Sequence, residues 1–183
     1  EIASCLVGSE MCIRDSIQLG DNRINGSGSL QQRLAGRIDL DLPRLGQLWP
    51  RLQGQVKGRL DLAGTLQAPQ GTLTLQGQRL AQAENRLQQL GLEARLDNAQ
   101  RGVIELKATG IQLGDTALGT LQANGKGDIR QQALTLALDG PQLKLDLGLD
   151  GQLSKGDWRG RLASGRIQAG GQDWQLKASA RLQ

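Results

Sequence analysis

Cys5 and Cys12 are the only thiols in the chain, and there is no histidine. Two thiols seven residues apart suit a redox pair or half of a metal site. A soft-metal site needs more thiolate or imidazole ligands, and none follow. The carboxylates stand singly, on strand faces or in turns, so no paired acid and base of the glycosidase kind is marked out. NGSGS (25–29) contains a G-x-G but lacks the third glycine and the following helix of a phosphate cradle. GGQDW (170–174) is a single poor copy of a calcium-repeat motif, and Asn25-Gly26-Ser27 is a formal glycosylation sequon with nothing to support it. The expectation is a protein that is not an enzyme and uses no cofactor or metal.

Both thiols lie in a stretch unlike the rest. EIASCLVGSEMCIRDS (1–16) also holds Met11, the only methionine, and lacks the alternation that follows it. It resembles a translated sequencing-adapter read and is expected to be a non-native leader, with 17–183 as a single segment. It has neither the basic start nor the long apolar run of a secretory signal. Without it, 21 basic residues face 15 acidic ones. They are interspersed, as in LKLDL, which suits a solvated strand face. Nucleic acid is not an expected partner, because no aromatic residues interleave the basic ones. No run of about 20 apolar residues is present to cross a membrane as a helix, so if the protein is membrane-anchored its anchor lies outside these residues.

Alternation organises everything else. Side chains in a strand alternate faces. RLAGRIDLDL sets Leu34, Ile38, Leu40 and Leu42 on one face, and QVKGRLDLAGTL does the same for Val56, Leu60, Leu62 and Leu66. GTLTLQG adds Leu73 and Leu75; LEARLD adds Leu92, Ala94 and Leu96; VIELKATG adds Ile104, Leu106 and Ala108. ALTLALDG gives Leu134, Leu136 and Leu138, and LKLDLGLDG gives Leu143, Leu145, Leu147 and Leu149. WQLKASARL aligns Trp174, Leu176, Ala178, Ala180 and Leu182. Leu42, Leu66, Trp174, Leu182 and the alanines apart, these are the expected lining of a groove.

The turn signals APQG (68–71), DGPQ (139–142), SKGD (154–157) and AGGQD (169–173) leave links too short for parallel crossovers. Roughly a dozen antiparallel strands in a meander are predicted. Pro43 and Pro50 bracket a short helix near 43–49, packed by Trp49. NRLQQLGLE (85–93) fits a helical turn or a strand. Trp158 and Trp174 are expected at strand starts beside turns.

Three arrangements can cover such a leucine face: a closed sandwich, a membrane barrel, or an open U-shaped gutter. Three Trp with no Tyr or Phe cannot supply a barrel's aromatic girdles. A leucine-only sandwich core specifies its packing poorly. The gutter, an all-β elongated antiparallel meander curled into an open groove, suits a sliding acyl chain, each buried methylene contributing about 0.8 kcal/mol. About a dozen strands at ~4.8 Å spacing give roughly 58 Å of groove.

GDNRINGSGSL (20–30), LWPRLQGQVKGRLDLAGTLQAPQ (48–70) and GDWRGRLASG (156–165) resemble the middle of the TamB family, the inner-membrane subunits of the translocation and assembly module. Related AsmA-like proteins share parts of this pattern. The resemblance covers residues 17–183 and implies a β-taco groove that crosses the periplasm of Gram-negative bacteria. It implies anchoring in the inner membrane and partnership with TamA, an outer-membrane barrel, through a region outside this chain. It also implies phospholipid as the ligand and a part in outer-membrane biogenesis. The alternatives are a structural or chaperoning β scaffold for outer-membrane or secreted proteins, and a closed β-sandwich binding module.

Overall fold

The computed structural model describes residues 12–30, 33–97, 99–128, 130–154 and 157–182. Cys5 and Met11 lie outside them. The chain runs through β1 (Cys12–Leu19), β2 (Asn22–Leu30), β3 (Leu34–Leu42), β4 (Leu52–Gly64), β5 (Pro69–Gln82), β6 (Asn85–Leu96) and β7 (Gly102–Leu113). It continues through β8 (Thr116–Gly127), β9 (Gln132–Asp139), β10 (Leu143–Ser154), β11 (Asp157–Ala169), β12 (Gln172–Gln175) and β13 (Ala180–Leu182). All thirteen belong to one antiparallel sheet in which each strand from β1 to β12 pairs with the next. β1 reaches back to Cys12, inside the stretch assigned to the leader, and pairs with β2 along its whole length.

The turns explain the meander. Gly170 and Gly171, at φ 57° and 77°, supply the two positive dihedrals of a type I′ hairpin turn, whose twist matches the flanking strands. Gly20–Asp21, Ala83–Glu84 and Gly114–Asp115 make equally short links. NRLQQLGLE resolves as strand, within β6.

Three expectations need correction. Leu66 does not join Val56, Leu60 and Leu62. The Thr65 N–H reaches the Ala68 carbonyl (3.2 Å) and the Thr65 hydroxyl accepts from the Ala68 N–H (3.0 Å). That turn leaves Leu66 68% exposed, and Pro69 already opens β5. The short helix near 43–49 is present as a 3₁₀ turn over Leu45–Gln47, but it is not packed by Trp49, which points to solvent; Leu45 is its buried anchor. The strand predicted over 174–182 breaks between β12 and β13. Both pieces pair with β11 but one residue out of step, at Arg166↔Gln175 and Leu162↔Ala180. β11 is itself bulged, with Gly148↔Ser164 followed by Leu149↔Leu162, and the break lies beside this extra residue, where a bulge disrupts the ladder locally.

A polar knot ties the 3₁₀ turn to the β1–β2 turn. Asn22, 2% exposed, donates to the carbonyls of Arg44 (2.8 Å) and Leu19 (3.3 Å) and to Gln47 Oε1 (3.2 Å), and accepts from the Arg44 N–H (3.1 Å). Gln47 in turn accepts from the Asp21 N–H at 2.9 Å, and Arg44 pairs with Asp21 at 2.8 Å. An amide is required at 22 because the position both donates and accepts. The GDNR stretch and the segment between Pro43 and Pro50 are therefore one unit in space.

Candidate functional site

Residues directly opposite in an antiparallel pair share a face, so the register carries each strand's apolar side into continuous rows. One row runs Ile24, Leu40, Gly58, Leu75, Leu92, Leu106, Ala123, Leu136, Leu147 and Gly165, from β2 to β11. Beside it runs Ile38, Leu60, Leu73, Ala94, Ile104, Gly125, Leu134, Leu149 and Leu162. A third row, Leu42, Val56, Gly77, Leu90, Ala108, Leu121, Leu138, Leu145, Ile167 and Trp174, closes one margin. A fourth borders the other margin and is thin: Gly36, Leu62, Gly71, Leu96, Gly102, Gly127, Gln132, Gly151 and Gly160.

Every residue singled out from the sequence as lining falls on this face. Leu34 sits beyond the thin row, opposite Leu30, and Leu143 at the far margin opposite Ala169. Leu176 extends the first row, its N–H bonded to the Gly165 carbonyl at 2.8 Å. Leu90, Leu121, Leu162 and Ile167 share the face and escaped the sequence reading. β8 offers only Leu121, Ala123, Gly125 and Gly127 inward, an alternation that fades from leucine to glycine. In β11 the bulge puts Leu162 and Ile167, of opposite parity, on one side. The side chain of Trp158 lies outside the described residues.

The described residues leave this face uncovered. Among the described residues only Leu45 and Ala108 are buried apolar side chains, while Ile104 and Leu134, central in their row, keep 43% and 41% of their surface exposed. One sheet with a solvent-open apolar face replaces the two facing sheets of a sandwich. Its concavity holds a trough of about 670 Å³ lined by Leu60, Leu73, Leu96, Ile104, Leu134 and Leu149, among others. That is within the range of ligand-binding cavities. A smaller hollow of about 280 Å³ continues toward β1, lined by Gly26, Gly28, Leu34, Gly36 and Ile38.

The opposite face is ionic. Across β3 and β4 three successive outward pairs meet: Arg37–Asp61 at 2.6 Å, Asp39–Arg59 at 2.7 Å and Asp41–Lys57 at 3.5 Å. Lys144–Asp139 and Arg161–Asp150 do the same across β9–β11. The hydrogen bond that Arg59 donates to Asp39, together with the charge of that carboxylate, raises the Arg59 pKa, and Asp139 does the same for Lys144. At the turns, backbone N–H groups of Arg101 and Ala99 hold the Asp97 carboxyl below the ordinary range, and those of Gln131 and Arg130 do so for Asp128. These exposed pairs solvate the back of the sheet and contribute little stability singly. What the arrangement offers chemically is a surface of aliphatic rows, with polar groups such as Gln132 and Gln100 confined to the thin margin of the trough.

The family model described as "TamB, N-terminal domain" matches residues 14–183. The Translocation and assembly module subunit TamB of Haemophilus influenzae is 26% identical over 157 residues, which is 83% of this chain and 12% of that protein. The chain thus spans about an eighth of the length of this relative. No solved structure matches it. A match to the model over nearly the whole chain, on a sheet whose GDNR and LP…LWP segments are tied by Asn22, shows that the chain belongs to the TamB N-terminal domain family.

Proposed function

We propose that this sheet is a section of an apolar conduit that carries phospholipid acyl chains across the periplasm, between the inner and outer membranes of a Gram-negative bacterium. The supporting observation is the leucine face left open to solvent, with its trough of about 670 Å³. A methylene chain laid there leaves water at about 0.8 kcal/mol per group, and contact with the aliphatic rows carries no direction that would fix it in one place. The conduit is not an enzyme. It works as part of a longer protein anchored in the inner membrane, alongside a TamA-like outer-membrane barrel, in outer-membrane biogenesis. Membership of the family supports that setting.

Photo-crosslinking in cells tests the reading. A probe at Leu145, on the apolar face, is expected to capture phospholipid, and one at Lys144, on the ionic face, is not. Capture at Lys144 alone, or of polypeptide rather than lipid at Leu145, overturns it; capture of polypeptide at the strand edges would favour a chaperoning scaffold.

A further inference from the structure

The trough and the smaller hollow beside it share one lining residue, Leu62. Leu62 stands on β4 with a glycine directly opposite on each side, Gly36 on β3 and Gly71 on β5. Its Cβ lies 3.8 Å, and its Cδ2 3.1 Å, from where a Cβ would stand on Gly36 and Gly71 respectively. The isobutyl group therefore leans into the space that Gly71 leaves empty and stands at ordinary contact distance from that of Gly36. It is the side chain shared by the linings of a compartment of about 280 Å³ over β1–β4 and one of about 670 Å³ over β4–β10, and it stands at their boundary.

We infer that Leu62 is the constriction that sets how readily an acyl chain passes from one compartment to the other. This rests on the conduit reading above and adds a gating position to it. The chemistry is steric. Both compartments present branched aliphatic side chains and glycine backbone, so an acyl chain gains about the same per methylene in either. The barrier between them is then the volume of the one side chain that projects where its neighbours have none. Shortening Leu62 joins the compartments. Enlarging it separates them, because interiors lined by protein tolerate added volume poorly.

The test uses the full-length protein in cells, with a photo-crosslinker at Ile38 in the small compartment or at Ile104 in the large one. Phospholipid captured at each position is normalised to the amount of protein, and the ratio of the two is the readout, so a general loss of folded protein cancels. Leu62→Ala is expected to bring the two positions toward equal capture. Leu62→Trp is expected to drive them apart by about tenfold, the lower end of what small steric changes do in an apolar site. Phospholipid at both positions with the same ratio in parent, Leu62→Ala and Leu62→Trp overturns this inference and leaves the conduit reading standing. No phospholipid at either position in the parent overturns both.

Discussion

Asn22→Ala is the sharpest test of how the sheet is held at its β1–β4 end. The amide makes four hydrogen bonds, the two shortest linking it to the backbone of Arg44 at 2.8 and 3.1 Å. Each neutral bond contributes about 1 kcal/mol net, and a buried partner left unpaired costs about 1–3 kcal/mol. Truncation removes both Arg44 bonds and orphans the Arg44 N–H beneath a residue that is 2% exposed. The expected loss is about 2–4 kcal/mol. Asn22→Asp should do no better, since it sets a carboxylate oxygen, which only accepts, where the amide nitrogen donated to three oxygens. The assays are urea denaturation followed by far-UV circular dichroism, and hydrogen exchange at the Arg44 amide. A midpoint change worth less than about 0.5 kcal/mol, the range of ordinary surface substitutions, with Arg44 still protected, would refute the reasoning.

Gly20→Ala should damage the same knot. Gly20 sits at φ 61° and a Cβ there would run into the Gln47 side chain, so the midpoint is expected to fall and the Asp21 amide to lose protection; an unchanged urea curve would contradict this. Acid should loosen the turns before the strands. The pKa values of Asp97 and Asp128 are lowered on folding, so the stability they contribute is present above the ordinary carboxylate range and lost as pH falls below about 4. Exchange at the Arg101 and Gln131 amides, which these carboxylates bind, should accelerate first in a pH series. For Lys144, whose pKa is raised by Asp139, the contribution is present below the ordinary lysine value and lost as pH rises through the folded one, so the loss appears only above about pH 10.

Much of this molecule is written in its alternation. LKLDLGLDG places its leucines on one face whatever lies around it, and AGGQD closes a hairpin because two adjacent glycines accept positive φ. Short links then leave a meander as the available topology. Where a side-chain bond captured the backbone, the pattern misled: Thr65 pulled Leu66 out of its strand, and the Asn22 knot drew in Leu45 rather than Trp49.

The sequence alone determined that the protein is all-β, that one face is aliphatic, and most of the side chains on it, because the period of two is local to each strand. Only the tertiary structure decided how those faces line up. Register belongs to pairs of strands, so the meeting of Leu62 with Gly36 and Gly71, residues scattered over three strands, is invisible to any reading along the chain. The bulge that turns Leu162 and Ile167 to one side is likewise a property of the pair. Whether the aliphatic face is sealed or open depends on the curl of the whole sheet, and here the curl leaves a trough.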